Sequence, residues 1–174
     1  LSKAIKGLRV GFIACTEALN GLSDPHKLVL NCKSPKVLEL IKESKAINQA
    51  TVVLPHWGDE YQGKPNSQQR RWAFSWIDAG ATAVVGNHPH VLQTTEWRNP
   101  KQKDSGLIVY SLGNFVAAQK DIPRRASALA HLDFDSKGKL SGFSHTPVAR
   151  PQGMFATRLA TPKTLKEEYD HTFR

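Results

Sequence analysis

Apolar residues near the middle of the chain form two short runs, Val52–Leu54 and Ala83–Val85, each followed by a polar cluster that contains histidine. Between these runs the apolar spacing becomes that of a helix, and Gly80 offers a C-terminal cap. The residues on the shared helical face are Trp72, Ala73, Trp76 and Ile77. Strand, helix and strand in this order form a βαβ unit, so we predict parallel strands joined by a right-handed crossover.

A similar alternation precedes this unit. Leu8–Cys15 is a continuous apolar run, which is typical of a buried strand. Ser34 and Pro35 are favourable as the N-cap and the first residue of a helix. The apolar stripe of that helix is predicted to consist of Val37, Leu40, Ile41 and Ile47. Residues 1–90 are therefore predicted to form β-α-β-α-β, which indicates an α/β fold.

Residues 91–150 have the pattern of antiparallel β-hairpins instead. Two predicted strands, Thr94–Arg98 and Gly106–Leu112, flank a polar turn that is too short for a crossover helix. Ser127–Phe134 and Lys139–Ser144 flank a second turn. The first strand of the first hairpin leaves from His90 and the second returns, so residues 111–114 are predicted to lie beside the histidines.

The composition is that of one folded domain spanning residues 1–174, with 40% hydrophobic and 22% charged residues. Residues 151–174 form a tail in which a charged segment, 165–171, is predicted as a terminal helix.

The formal net charge of +9 is compatible with binding a polyanion, although a solvated, lysine-rich surface is the simpler explanation. The basic residues are scattered and no nucleic-acid-binding motif accompanies them, so nucleic acid is not an expected partner.

Cys15 and Cys32 are the only cysteines, and they lack the spacing of a zinc-binding motif. They can pair in an oxidising compartment, or both can be buried free thiols. No apolar run approaches the ~18 residues of a transmembrane helix, and no signal-peptide pattern is present. The chain begins with Leu1 rather than methionine, so we interpret its start as processed or truncated.

Three histidines are the strongest chemical signal. His56 follows one strand of the βαβ unit, and His88 and His90 follow the next, so all three are expected at the carboxyl edge of the sheet. Neutral imidazole is the commonest nitrogen ligand of Zn, Mn and Fe, which favours a metal site. The alternative is a set of hydrogen-bonded histidines that close the edge of a strand.

Other polar residues near the histidines have more than one interpretation. Asp59 and Glu60 can orient a ligand, transfer protons or be solvated loop charges, and Glu60 is the preferred functional residue. Trp57 forms either an aromatic wall beside the site or part of the core.

The motif G-x-S-x-G is absent, so a serine hydrolase has no support. A two-metal centre also needs bridging carboxylates, and the chain contains no G-D-x-x-D motif to supply them.

Four stretches carry recognisable signatures: VVLPHWGDEY at 52–61, Pro65 with Gln69, IDAGATAVVGNHPHVLQTTE at 77–96, and IVYSLGNFV at 108–116. In residue type, spacing and order they resemble the CapA/PgsA family of bacterial capsule and poly-γ-glutamate biosynthesis proteins. That family belongs to the calcineurin-like metallophosphoesterase superfamily. The resemblance implies that this chain forms part of a metallophosphoesterase-like α/β sandwich.

The resemblance also implies site residues and metals. His56 and His88 would bind one divalent ion and His90 a second, the ions being Mn, Fe or Zn. Glu60, His90 and Asn114 are expected to be catalytic. Asn87 is a departure, because the family often has histidine there. The family's N-terminal half supplies further Asp and Asn-His ligands, so we expect this chain to be a C-terminal half with an incomplete dinuclear site.

The function implied by the resemblance is synthesis or export of poly-γ-glutamate or another capsule component, with a metal-dependent, phosphoesterase-like hydrolase site. The expected location is the cell envelope, at the extracytoplasmic face of the membrane. The expected partners are an anionic polymer or phosphoester substrate, membrane synthase subunits and the missing N-terminal half of the domain. The alternatives are a non-catalytic, polymer-binding scaffold of a synthase complex and a general phosphoesterase unrelated to capsule.

Overall fold

The computed structural model describes residues 1–99, 105–151, 153–154 and 156–160. Nine strands and three helices are assigned within these ranges. In chain order they are β1 (Ser2–Ile5), β2 (Leu8–Thr16), α1 (Lys36–Ile47), β3 (Ala50–His56), α2 (Ser67–Asp78), β4 (Ala83–Val85), β5 (Thr95–Arg98), β6 (Gly106–Val109), α3 (Ile122–Arg125), β7 (Ala126–Phe134), β8 (Leu140–Ala149) and β9 (Arg158–Leu159).

Six strands form the main sheet in the order β1-β2-β3-β4-β6-β5. Strands β2, β3, β4 and β6 are parallel, and β1 and β5 pair antiparallel at the two edges. The predicted β-α-β-α-β order is therefore confirmed from β2 to β4, as is the antiparallel hairpin of β5 and β6, whereas the edge strand β1 was not predicted. Strand β6 lies inside the sheet beside β4 because all four of its residues are buried, whereas β5 is partly exposed and suits an edge.

Two layers cover the faces of this sheet, as expected of an α/β sandwich. Helices α1 and α2 pack on one face, where Val37, Ile41, Trp76 and Ile77 join residues of the strands in one apolar cluster. The hairpin of β7 and β8 covers part of the other face, where Leu140 is buried in a second cluster. The carboxyl edge of the parallel strands is left for the loops that carry the histidines.

The structure corrects the predicted details of α1. The helix begins at Lys36 rather than at Pro35, although the Ser34 hydroxyl still accepts a hydrogen bond from the Lys36 amide at 3.2 Å. Ile47 was predicted in the apolar stripe but is 59% exposed, and the buried residue of the last turn is Ser44. At about 100° per residue, position 47 lies far around the helix from Ile41, whereas position 44 lies on the same side.

The predicted second hairpin is confirmed, and its strands pair in antiparallel register. The Asp135 carboxylate closes the turn by accepting hydrogen bonds from the amides of Lys137 and Lys139, each at 2.9 Å. The predicted terminal helix at 165–171 lies outside the described residues. Among the residues that the structure does describe, no helix is long and apolar enough to cross a membrane.

Cys15 and Cys32 form a disulfide, with sulfur atoms 2.07 Å apart. Of the two alternatives left open by the sequence, the structure therefore has the paired one. The bridge ties the end of β2 to the segment that leads into α1. Backbone hydrogen bonds continue this tie, because the Cys32 amide donates to the Thr16 carbonyl at 2.8 Å.

Candidate metal centre

The loops that follow β3 and β4 pair with each other beyond the ends of the strands. The Asn87 amide donates to the Pro55 carbonyl at 2.9 Å, and the Trp57 amide donates to the Asn87 carbonyl at 3.0 Å. These bonds continue the parallel pairing past the last residue of β4. As a result, His56 and His88 are brought side by side at the carboxyl edge of the sheet.

The three predicted histidines converge. The ring centroids of His56 and His88 lie 4.3 Å apart, and those of His88 and His90 lie 5.9 Å apart. The tightest group of candidate ligand atoms also includes a carboxylate: Glu60, His88 and His90 each offer one atom, all within 4.8 Å of one another. Glu60 is thus the carboxylate of this group, and His56 lies next to His88.

Asn114 sets the protonation pattern of His90. Its amide nitrogen donates to the carbonyls of His90 and Arg124 at 3.2 and 2.9 Å, so its oxygen is the atom that lies 2.7 Å from His90 Nδ1. Because an amide oxygen can only accept, Nδ1 must carry the proton. The lone pair is then on Nε2, which lies 3.7 Å from a Glu60 carboxylate oxygen. For comparison, two ligand atoms bound tetrahedrally to one ion at about 2.1 Å stand roughly 3.4 Å apart.

Thr16 has the equivalent role for His56. Its hydroxyl donates to the Ala18 carbonyl at 2.7 Å and lies 3.2 Å from His56 Nδ1. Since its only proton is already engaged, the hydroxyl oxygen accepts from Nδ1–H, which leaves the His56 Nε2 lone pair available. Burial lowers the pKa of His56, and the neighbouring His88 and His90 lower it further against the opposing effect of Glu60. The neutral form, which is the one that binds metals, is therefore favoured.

His88 and His90 have a backbone that L-residues seldom adopt, with φ of 105° and 62°. Such conformations cost about 1–3 kcal/mol each and persist where surrounding structure imposes them, often at functional sites. The Nδ1 atom of His88 is buried and has no hydrogen-bond partner among the described residues. A histidine with an unpartnered ring nitrogen, in a cluster that also holds a carboxylate and a second imidazole, is chemically suited to a divalent cation. The residues present therefore fit such an ion.

A buried amide pair supports the loop that carries Glu60. Gln69 and Gln93 are both fully buried, and the Gln69 amide donates to the Gln93 oxygen at 2.9 Å. Gln93 in turn donates to the carbonyls of Gln62 and Lys64 at 2.8 and 3.2 Å. Gln69 also closes the capping box of α2 with Asn66. The loop is thereby held between the start of α2 and the segment after His90.

Two alternatives from the sequence are resolved by this arrangement. Trp57 is fully buried and its indole donates to the Tyr110 carbonyl at 2.9 Å, so it belongs to the core rather than to a wall of the site. Asp59 accepts a hydrogen bond from the Asn66 side chain at 2.9 Å and is not among the candidate ligands. Glu60 is the carboxylate that the structure places beside the histidines.

Sequence reasoning did not identify Thr16, Gln93 or Tyr61 as parts of the site. Tyr61 stacks on His90, with ring centroids 5.7 Å apart and planes inclined by 25°. Its position one residue after Glu60 was the available signal. Thr16 and Gln93 had none, because their contacts depend on strands that pair across long stretches of chain.

The fold and the site together define an α/β sandwich protein with a candidate metal centre of imidazoles and one carboxylate at the carboxyl edge of its sheet. The chain belongs to the family described as bacterial capsule synthesis protein PGA_cap, which matches residues 1–119. This match confirms the family resemblance drawn from the four signatures, which lie within those residues.

Two curated relatives are similar over most of this chain. The PGA biosynthesis protein CapA of Bacillus subtilis (strain 168) is 42% identical over 133 residues, which are 75% of this chain and 31% of the relative. The capsule biosynthesis protein CapA of Bacillus anthracis is 35% identical over 144 residues, which are 77% of this chain and 33% of the relative. The chain thus spans about one third of the length of these relatives.

Proposed function

We propose that this chain is part of a protein for the synthesis or export of capsule or poly-γ-glutamate, and that its histidine cluster is a divalent-metal site for hydrolysis or transfer. The reaction would take place at a phosphoester or at an amide of the polymer. The observation that carries the proposal is the grouping of Glu60, His88 and His90 within 4.8 Å. The names of both relatives support the biological context.

The proposed location is the cell envelope, at the extracytoplasmic face of the membrane. The relatives are named as capsule or PGA biosynthesis proteins, which supports an association with the envelope. The disulfide between Cys15 and Cys32 supports an oxidising compartment, because cytosolic thiols are usually kept reduced. The proposed partners are an anionic polymer or phosphoester substrate and subunits of a membrane synthase.

In this proposal Glu60 is both a metal ligand and a proton acceptor, and each of the other residues has one task. His88, His90 and Glu60 would hold a Mn, Fe or Zn ion, and His56, beside His88, would serve a second ion in the complete protein. The chemistry that such ions supply is polarisation of a phosphoryl or carbonyl oxygen. Asn114 would orient His90 by accepting a hydrogen bond from Nδ1–H, which leaves Nε2 as the candidate ligand atom. Glu60, with a side chain that is 46% exposed and 3.7 Å from that nitrogen, can accept a proton from an attacking nucleophile.

Metal binding tests the site directly. The chain would be stripped with EDTA and titrated with Mn²⁺ or Zn²⁺ by calorimetry, as wild type and as His56→Ala, His88→Ala and His90→Ala. We expect the His88 and His90 variants to lose about tenfold or more in affinity, because each removes a candidate ligand. His26→Ala is the matched control, since His26 is an exposed histidine that is not among the candidate ligands. Equal affinity in the wild type and in all three cluster variants would refute the metal site.

The formal net charge of +9 favours a second candidate function, a non-catalytic scaffold that binds an anionic polymer. Hydrolysis of bis(p-nitrophenyl) phosphate by the metal-loaded protein, lost in His90→Ala, would support the enzyme. Binding of poly-γ-glutamate that survives EDTA, together with no hydrolysis of any ester, would favour the scaffold.

A further inference from the structure

Arg124 lies against the candidate metal centre although it is far from the histidines in sequence. Its guanidinium carbon is 4.7 Å from the centroid of the Tyr61 ring, in cation–π geometry. The Tyr61 ring in turn stacks on His90. Arg124 and His90 both contact the Tyr61 ring, so a fixed positive charge lies one aromatic ring away from a candidate ligand.

The backbone of Arg124 is attached to the same histidine by an independent contact. The Asn114 side chain donates to the Arg124 carbonyl at 2.9 Å, and its oxygen contacts His90 Nδ1 at 2.7 Å. One amide thus connects Arg124 and His90, and one aromatic ring separates their side chains. The hydrogen bond from Asn114 and the contact with the Tyr61 ring therefore both hold Arg124 in place beside the site.

The guanidinium still has unused hydrogen-bond donors. Asp121 contacts it at Nε, with carboxylate oxygens at 2.6 and 2.9 Å, and the Tyr61 hydroxyl is a further hydrogen-bond partner of the guanidinium. In the part of the chain that the structure describes, neither terminal nitrogen forms an ion pair with a carboxylate. The side chain is 36% exposed. These terminal nitrogens present the two-donor edge that binds phosphate or carboxylate oxygens in bidentate fashion.

We propose that Arg124 binds an oxyanion of the substrate at the candidate site, and that Tyr61 is the positioning residue on which the guanidinium rests. The inference rests on the proposed function, because it supplies the anion-binding part of that site. The shared ligand chemistry is a planar or tetrahedral oxyanion, either the phosphoryl group of a phosphoester or a side-chain carboxylate of a γ-linked glutamate polymer. A cation beside the metal ligands would orient such a group and offset its charge.

The test compares Arg124→Gln with Arg71→Gln, which removes the same charge from an exposed arginine on α2 that contacts Gln68. Affinities for inorganic phosphate and for a synthetic γ-linked glutamate decamer would be measured by calorimetry on the 174-residue chain, with and without Mn²⁺. We expect Arg124→Gln to weaken binding of at least one probe about tenfold, and Arg71→Gln to stay within about twofold. The probe that responds identifies the source of the oxyanion.

Two further variants separate recognition from a merely structural role. Arg124→Lys retains the charge but not the planar fork, so partial loss is expected. Tyr61→Phe retains the ring and removes only the hydroxyl contact to Arg124, so its loss should be smaller than that of Arg124→Gln. Circular dichroism and the affinity for Mn²⁺ should be unchanged in Arg124→Gln. If wild type and Arg124→Gln bind both probes equally, or if the wild type binds neither, the assignment of Arg124 is wrong. The proposed metal site is judged separately, by the histidine variants.

Discussion

Asn114 makes three hydrogen bonds at the candidate site through one side-chain amide. The two donated bonds determine which end of the amide is oxygen, and that oxygen determines which nitrogen of His90 is protonated. A residue predicted as catalytic from a family signature thus has a physical role that the structure makes explicit: it orients His90. Its assignment as catalytic stays a prediction.

Asn114→Leu should lower the affinity of the chain for Mn²⁺ or Zn²⁺ about 10–100-fold, because partners that orient ligating imidazoles typically contribute that much. Leucine is similar in size but cannot accept a hydrogen bond from His90 Nδ1–H. Titration calorimetry on EDTA-stripped protein provides the measurement. The control is Gln68→Leu, an amide-to-leucine change on the outer side of α2. An unchanged affinity in Asn114→Leu would show that His90 needs no orientation to bind metal.

The loops after β3 and β4 approach each other most closely at Gly86. A Cβ atom there would lie 2.2 Å from the Tyr110 carbonyl oxygen and 2.3 Å from the Trp57 indole nitrogen. These two atoms form a hydrogen bond with each other. The absence of a side chain is thus what lets Trp57 pass under the end of β4. The sequence indicated only a turn at Gly86-Asn87, because the spacing of apolar residues does not reveal which side chains pack against a glycine.

Gly86→Ala should destabilise the fold by about 1–3 kcal/mol, since a methyl group cannot be added without moving backbone or indole. The free energy of unfolding in urea, followed by tryptophan fluorescence, measures the effect. Gly63→Ala is matched, because a Cβ at Gly63 would meet nothing within 4 Å. Its unfolding free energy should stay within about 0.5 kcal/mol of wild type. Equal stability of both variants would contradict the close packing at Gly86.

At the scale of the whole molecule, the parallel strands are held by hydrogen bonds, two apolar layers and one covalent bridge. The disulfide closes a loop between residues separated by 17 positions, and this loop contains the segment that crosses from β2 to α1. The same end of β2 supplies Thr16, which orients His56. The bridge therefore constrains the unfolded chain and also stands beside the site.

Replacing both cysteines, Cys15→Ser with Cys32→Ser, should lower the free energy of unfolding by about 3 kcal/mol, the chain-entropy value for a loop of this length. Urea unfolding with and without dithiothreitol gives the measurement. Reductant should destabilise the wild type by a similar amount and leave the double variant unchanged, which serves as the internal control. A wild type whose unfolding midpoint is insensitive to dithiothreitol would argue that the thiols are not paired.

Much of the element order was predictable because it depends on local information. The apolar runs at Val52–Leu54 and Ala83–Val85 and the helical spacing between them identify a βαβ unit, and this unit makes the strand ends share one edge. The short polar turn before Gly106 likewise required an antiparallel hairpin. Convergence of His56, His88 and His90 follows from these elements.

The sequence by itself determined the alternating strands and helices, the edge at which the histidines lie and the family of the chain. Only the tertiary structure decided that Glu60 lies beside His88 and His90, that the Asn114 oxygen accepts a hydrogen bond from His90 Nδ1, and that Arg124 rests on Tyr61. The physical reason is distance along the chain. Periodicity reports which side of an element is apolar, whereas a contact across 24 residues depends on the directions in which loops leave the sheet.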